Sequence, residues 1–247
     1  MSTLTASAID LRKEIVKQVA SAKGMNGVKA QVVLVLDYSG SMDHLYKSGF
    51  VQRVIERLVP VAMQFDDNGE MELYMFQNNC IKHPKNVTAI SVDGIVNREI
   101  TGKYDFGGTQ YAPAIKSILE DYVPTAVKEK KGLFGNMFGG KANVTGNTSD
   151  PVYVIFVTDG DNSDKPAAEA AIKEASKYGV FFQFVGIGNA SMAFLDKLDT
   201  MPDRFIDNAN FFQVNDLDKI GDKDLYERLL GEFPSWVNEA KSKNIIK

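Results

Sequence analysis

The chain has 247 residues, of which 44% are hydrophobic and 24% are charged, as is ordinary for a soluble globular protein with a sizeable core. Its formal net charge of −4 gives no electrostatic reason to expect binding to nucleic acid or to an anionic membrane. Cys80 is its only cysteine, which excludes a disulfide framework and a cysteine-based metal cluster.

Two absences along the sequence bear on localisation. Residues 1–13 lack the apolar core of a signal peptide, and no apolar run is long enough to span a bilayer. We therefore expect a cytoplasmic protein without stable membrane insertion.

The predicted elements begin with an N-terminal helix whose apolar face carries Leu11, Ile15 and Val19. Residues 1–28 are expected to form a helical extension, and residues 29–247 the main domain. In that domain, short apolar runs alternate with segments of helical periodicity, which is typical of a parallel sheet with helices on both faces. The predicted parallel strands are residues 32–36, 71–76, 152–157, 180–187 and 210–214.

One antiparallel strand is expected at the edge of this sheet. Residues 80–82 follow the strand at residues 71–76 so closely that a hairpin is the natural link. The predicted fold class is therefore α/β, with a doubly wound, mostly parallel sheet, one antiparallel edge strand and helices on both faces.

Amphipathic helices are predicted between and after the strands. Apolar residues recur at helical spacing over residues 51–65, where Pro60 is expected to kink or divide the helix. A second helix covers residues 113–122, with its proline in the first turn. A third begins near residue 163 or 164 and ends at Gly179. A C-terminal helix is predicted from Leu225, Leu229 and Phe233.

Residues 128–151 do not fit the alternation of strands and helices. The segment is rich in Gly, Asn and Lys, yet it carries Leu133, Phe134 and Phe138. Either it is a mobile insertion whose apolar residues fold back locally, or it is a docking loop with an apolar tip. We expect high mobility over residues 132–148, and we expect its deletion to leave the fold intact.

Oxygen-bearing side chains follow two of the predicted central strands. The first strand ends at Asp37, with Ser39 and Ser41 in the tight turn that follows, and the strand at residues 152–157 is followed by Asp159. Thr109 lies in a flexible turn directly before a helix. If the two strands are neighbours, these five side chains converge at the carboxyl edge of the sheet, where open α/β sheets bind ligands. Two carboxylates and three hydroxyls suit a hard cation such as Mg²⁺ and do not suit zinc.

The composition of this predicted site also indicates what it does. Two carboxylates roughly neutralise a dication, and neutral hydroxyls leave it a Lewis acid toward a further anionic ligand. Such a site can bind a carboxylate supplied from outside, which is recognition without catalysis.

The Asp-x-Ser-x-Ser turn, the downstream Thr and the Thr-Asp-Gly sequence together resemble the metal-ion-dependent adhesion site (MIDAS) of von Willebrand factor A (vWA) domains. Residues 107–113, 156–162 and 185–188 further resemble the vWA proteins linked to bacterial tellurium resistance, and the resemblance covers about residues 10–240. It implies a Mg²⁺, Mn²⁺ or Ca²⁺ ion whose coordination is completed by a carboxylate of a protein partner. It also implies that the two Ser and the Thr contact the metal directly or through water, and that one or both acids act through water. The function expected is a metal-dependent protein-binding module in a bacterial stress or toxic-metal resistance system.

Two other functions remain open. A Mg²⁺-dependent phosphoryl-transfer enzyme would use Asp37 as nucleophile, but haloacid-dehalogenase-type phosphatases need a second acid where this chain has Ser39. With two histidines, one cysteine and no Ser-His-Asp context, we expect no enzyme. A vWA subunit of a chelatase-like assembly would differ from the leading hypothesis only in its partner.

Several nearby residues have structural interpretations. Asp161 and Asp164 could lie around the metal without contacting it, but we favour a turn or N-cap role for Asp164. His44 is expected to be a solvent-facing loop residue, and His83 has no identifiable partner at its presumed sheet edge.

Overall fold

The computed structural model describes residues 3–123 and 150–247. Most of the predicted insertion, and the mobility expected of it, therefore lie outside the described residues. In the described part of the chain, six strands form one sheet in the order β3-β2-β1-β4-β5-β6. They are β1 Gln31–Asp37, β2 Met71–Phe76, β3 Cys80–Lys82, β4 Val152–Thr158, β5 Val180–Ile187 and β6 Ala209–Val214.

The pairing of these strands confirms the predicted fold class. All neighbouring pairs are parallel except β2 and β3, which form the antiparallel edge. The strand order reverses between β1 and β4, which pair directly. This is the switch point at which an open α/β sheet has a crevice for a ligand.

Helices cover both faces of the sheet. They are α1 Thr3–Ala22, α2 Asp43–Lys47, α3 Phe50–Phe65, α4 Ala112–Tyr122, α5 Lys165–Ala175, α6 Ala193–Asp199, α7 Asp222–Leu229 and α8 Phe233–Ser242. Short 3-10 and π-helical turns lie at Gly40–Met42 and Val96–Ile100. Among the described residues, no helix is long and apolar enough to cross a membrane.

The alternation of side chains in β1 divides the core into two layers. Val33 and Val35 pack in one layer with residues of α4 and α5, such as Ile115 and Ile172. Val32, Leu34 and Leu36 pack in a second layer with residues of α1, α3, α7 and α8. Since both faces are buried, the strand sequence is an almost continuous apolar run.

Three helix predictions need correction. Pro60 was expected to kink or divide α3, and of these two the division is wrong. The helix continues through Pro60 because the residues on either side of it are buried in the core, and that packing outweighs the loss of one backbone hydrogen bond. The helix expected to reach Gly179 ends at Ala175. Turns follow it, in which the N–H groups of Lys177 and Tyr178 each donate to the carbonyl three residues earlier. The single predicted C-terminal helix is two helices, α7 and α8, and Pro234 lies at the start of the second.

The N-terminal helix α1 packs against α3 and α7. Ile9, Val16 and Val19 on α1 are buried in the same core layer as α3. The division of the chain into an extension over residues 1–28 and a main domain stays a prediction.

Candidate metal centre

The candidate site lies at the carboxyl ends of the two central strands. Leu36 pairs with Val157, so the last residues of β1 and β4, Asp37 and Thr158, lie side by side. Asp159 follows β4 directly. The sheet therefore brings the two predicted carboxylates to one edge, as the sequence pattern indicates.

Asp37 is a fully buried carboxylate, 0% exposed. Its Oδ1 accepts a hydrogen bond of 2.8 Å from the Ser39 backbone N–H, and its Oδ2 accepts one of 2.6 Å from the Thr158 hydroxyl. Burial raises the pKa of Asp37 to about 6, although the hydrogen bonds from Ser39 and Thr158 act to lower it. In the part of the chain that the structure describes, no Lys or Arg forms a salt bridge with this carboxylate. A bound cation would therefore supply the positive charge that Asp37 lacks.

Ser39, Ser41 and Asp159 form a chain of hydrogen bonds beside Asp37. The two serine hydroxyl oxygens lie 3.0 Å apart, and the Ser41 hydroxyl donates to Asp159 Oδ1 over 2.8 Å. Ser39 is 2% exposed, whereas Ser41 is open to solvent. The structure thus gathers four of the five predicted ligands into a cluster that opens to solvent at one end.

The loop that carries Thr109 lies against this cluster. Gly107 forms a parallel bridge with Ser39, and its carbonyl accepts a hydrogen bond of 3.0 Å from the Gly40 N–H. A Cβ atom on Gly107 would lie 2.1 Å from Oε1 of Gln77, so a larger residue there would require the Gln77 side chain to move. On the other side, the Thr109 carbonyl accepts from the Ser163 N–H over 2.9 Å. Within the described residues, the Thr109 hydroxyl is not hydrogen-bonded to the other four predicted ligands.

An aromatic cluster that the sequence did not indicate packs against the turn that carries Ser39 and Ser41. Tyr38 stacks on Phe106 with ring centroids 4.2 Å apart, and the Tyr46 ring meets both edge-on. The buried Tyr46 hydroxyl donates to the Asp37 carbonyl over 3.0 Å. These contacts connect the Ser39–Ser41 turn, α2 and the loop before Thr109. Phe106 is far from Tyr38 and Tyr46 in sequence, and local periodicity gives no signal for any of these contacts.

The neighbouring polar residues differ in part from expectation. Asp164 lies directly before α5, as an N-cap residue would, but its carboxylate does not cap that helix and hydrogen-bonds the start of α4 instead. Asp161 pairs with Lys165 over 2.6 Å. His44 is exposed but lies in α2 and not in a loop. His83 is buried, and its Nδ1 lies 2.8 Å from the Lys85 carbonyl oxygen, so it does have a partner.

The donor set fits a hard divalent cation. Two carboxylates and hydroxyl groups provide oxygen ligands, which Mg²⁺, Mn²⁺ and Ca²⁺ prefer. Among the described residues, no group of three or more His, Cys, Asp and Glu side chains is placed to hold a metal. A metal at this edge would therefore depend on hydroxyl ligands as well as on the two acids.

Comparison with known proteins adds to this geometry. A family described as the vWA domain found in the TerF C terminus matches residues 29–133 and 139–246. The uncharacterized protein YcbR of Bacillus subtilis (strain 168) is 40% identical over 246 residues, which cover 98% of this chain and 91% of that protein.

Solved structures show the same fold. Proximal thread matrix protein 1 from the mussel byssus, in its structure with a zinc-occupied MIDAS motif, superposes with a TM-score of 0.54 at 15% identity. That match covers 82% of this chain, which spans 47% of the mussel protein. The hypothetical protein BatB from Bacteroides thetaiotaomicron gives a TM-score of 0.53 at 14% identity, covering 87% of this chain and 100% of that one.

Proposed function

This chain belongs to the family of vWA domains found in the TerF C terminus, and on that premise we propose that it binds a protein partner through a divalent metal held by Asp37, Ser39, Ser41, Thr109 and Asp159. The observation that carries the proposal is the convergence at one sheet edge of two groups. They are the buried carboxylate of Asp37, which pairs with no Lys or Arg of the described residues, and the hydrogen-bonded chain from Ser39 to Asp159.

The proposed metal is Mg²⁺, with Mn²⁺ or Ca²⁺ as alternatives, because the donors are oxygen atoms. When bound, the ion supplies a Lewis acid that attracts an Asp or Glu carboxylate of the partner. The mussel protein's MIDAS motif is described as zinc-occupied, so Zn²⁺ belongs in the same titrations.

Each residue has a defined part in this proposal. Asp37 supplies the buried negative charge, held in place by Ser39 N–H and Thr158. Ser39 and Ser41 offer hydroxyl oxygens from one tight turn. Asp159 is half-exposed and closes the cluster on the β4 side. Thr109 adds a hydroxyl from the loop that lies between the two turns.

We propose that the domain works in the cytoplasm, in a bacterial stress or toxic-metal resistance system, and that it is not an enzyme. The resemblance of its motifs to the tellurium-resistance vWA proteins supports the cellular role. The position of Ser39, where a phosphatase of the rival class needs a second acid, supports the absence of catalysis. A phosphatase assay with Mg²⁺ and a generic substrate separates the two classes, and turnover lost in Asp37→Ala would favour the enzyme.

The binding function is tested by capture from host lysate with the tagged chain as bait, with and without EDTA. We expect a partner that is retained in Mg²⁺, released by EDTA and absent with Asp37→Ala. Asp43→Ala is the matched control, because Asp43 is a half-exposed acid near the same turn that pairs with Lys47.

Affinity for the captured partner then tests the single ligands. Ser39→Ala and Asp159→Ala should each weaken binding at least about tenfold, since losing one side of a desolvated charge contact is costly. Asp43→Ala, the matched control, should leave it nearly unchanged, and changing one acidic residue of the partner to its amide should weaken it comparably to Ser39→Ala. A partner that binds equally well in EDTA would show that the recognition surface lies elsewhere.

A further inference from the structure

The first turn of α4 is capped by a carboxylate from another part of the chain. Tyr111 and Ala112 begin this helix, where backbone N–H groups have no carbonyl partner within the helix itself. Asp164 accepts both of them, through Oδ1 from Tyr111 over 2.9 Å and through Oδ2 from Ala112 over 2.8 Å. A carboxylate at a helix N-terminus is favoured by the helix dipole, and hydrogen bonds to an ionised acceptor are the stronger kind.

The two residues before Asp164 strengthen the same connection. The backbone N–H and the hydroxyl of Ser163 both donate to the Thr109 carbonyl, over 2.9 and 3.0 Å. Asn162, 5% exposed, donates from Nδ2 to Asp164 Oδ1 over 2.5 Å and so fixes the orientation of that carboxylate. Residues 162–164 therefore hold both ends of the segment from Thr109 to Ala112.

Tyr111 joins this segment to the metal turn from the inside. Its buried hydroxyl donates to the Gly160 carbonyl over 2.5 Å and lies 3.3 Å from the Thr158 hydroxyl, which in turn donates to Asp37. The start of α4 is thus tied to β4 by side-chain contacts as well as by the Asp164 cap. Any shift of the cap would move Thr109 relative to Asp37 and Asp159.

We propose that Asp164 is a positioning residue, which holds the Thr109 loop at the distance from β4 that metal binding needs. The proposal rests on the metal site proposed above. In this proposal Asp164 does not contact the ion. It acts by holding the backbone at the start of α4.

A purely electrostatic role for Asp164 is the competing explanation, because removing any nearby negative charge weakens attraction for a cation. Asp161 provides the matched control. It lies in the same segment and carries the same charge, but its Oδ2 accepts from Lys165 Nζ over 2.6 Å. Within the described residues, it makes no hydrogen bond with residues 107–112.

The test is calorimetric titration of the full chain with Mg²⁺ and Mn²⁺, using wild type, Asp164→Asn, Asp161→Asn, Thr109→Ala and the double variant Asp164→Asn/Thr109→Ala. We expect Asp164→Asn to lose about tenfold in affinity, the lower end of what residues that orient a metal ligand contribute. Asp161→Asn should lose clearly less. In the Thr109→Ala background, Asp164→Asn should add almost nothing, because the loop it positions no longer carries a ligand.

Other outcomes lead to distinct conclusions. Equal losses in Asp164→Asn and Asp161→Asn, or an undiminished loss in the Thr109→Ala background, would overturn the positioning role and leave the metal site standing. A wild-type chain that takes up neither metal would overturn the metal site itself. Should Asp164→Asn fail to fold in a melting experiment, Ser163→Ala takes its place. That variant removes one of the two bonds to the Thr109 carbonyl, and its loss of affinity should likewise vanish in the Thr109→Ala background.

Discussion

At the scale of single residues, the burial of Asp37 sets how the site responds to pH. Burial raises the pKa of this carboxyl from 3.8 to about 6, and the described residues offer it no ion pair. The uncharged acid is therefore favoured below about pH 6 in the metal-free protein. A divalent cation favours the charged form, so proton and metal compete for the same group.

The first prediction is that affinity for Mg²⁺ falls as pH drops through about 6, because protonated Asp37 cannot act as a ligand. In the metal-free protein, the raised pKa stabilises the fold below 3.8, and this contribution is lost as pH rises toward about 6. Calorimetry and urea unfolding across this range measure the two effects. Asp37→Asn is the control and should show neither, whereas a wild-type affinity that is flat from about pH 5 to 8 would contradict the assignment of Asp37 as a ligand.

The second prediction concerns the close approach at Gly107. A Cβ there would lie 2.1 Å from Oε1 and 3.1 Å from Cβ of Gln77, whereas a Cβ on Gly160 would meet nothing within 4 Å. Gly107→Ala should cost about 1–3 kcal/mol, as overpacking does, and should weaken metal binding because the Thr109 loop must move. Gly160→Ala, in the other turn of the site, should be nearly neutral. Urea unfolding measures the stability of both variants. Equal stabilities would contradict the prediction and show that the Gln77 side chain moves aside at little cost.

At the scale of elements, the strands were predicted well because both faces of the sheet are buried. Under that condition a strand such as β4 becomes an uninterrupted apolar run, which the sequence displays directly. Short helices such as α2 and α6 carry too few apolar positions to show a period. The interruption between α7 and α8 depends on turn chemistry around Pro234 that the apolar spacing does not reveal.

In the candidate site too, features that follow from local sequence pattern were predicted, whereas contacts between separate segments were not. Asp37, Ser39, Ser41 and Asp159 were predicted to lie together because each lies at or just after the end of a strand, and the structure brings them together. Their role as metal ligands stays a prediction. The cap from Asp164 onto α4 joins residues more than fifty positions apart, so local pattern could only suggest a cap for the nearer helix. The hydrogen bond from the Tyr46 hydroxyl to the Asp37 carbonyl was missed although the two residues are close in sequence, because an apolar pattern gives no signal for a bond from a tyrosine hydroxyl to the backbone.

The third prediction tests whether α1 is part of the folded core. Val16 is 0% exposed in the layer that α3 and α8 share, whereas the adjacent Lys17 side chain is 64% exposed. Val16→Ala should lower the free energy of unfolding by about 1–3 kcal/mol through lost burial and the cavity that remains. Lys17→Ala, the matched control, should change it by less than about 0.5 kcal/mol. If both variants unfold like the wild type, residues 1–28 are an extension on which the domain does not depend.

At the scale of the whole molecule, the proposed metal would join segments that enter the site from β1, β4 and the loop before α4. A ligand that binds only the folded state stabilises the entire domain, whatever its size. The site should therefore be visible in global stability and not only in local structure.

The fourth prediction is that Mg²⁺ at about one hundred times its dissociation constant adds about 2.7 kcal/mol of stability. For a chain of this size, that gain corresponds to a rise in Tm of about 5–10 °C. Differential scanning calorimetry should show this rise in wild type and in Asp43→Ala but not in Asp37→Ala. A comparable rise in Asp37→Ala would mean that the ion binds at another place.

The most direct test of the proposed metal site is anomalous diffraction from crystals of the full chain grown with Mn²⁺. We predict one strong anomalous peak among the side-chain oxygens of Asp37, Ser39, Ser41, Thr109 and Asp159, and no peak there in crystals of Asp37→Ala. A peak at any other position, or none at a Mn²⁺ concentration that raises the Tm, would contradict the assignment of the metal to this edge of the sheet.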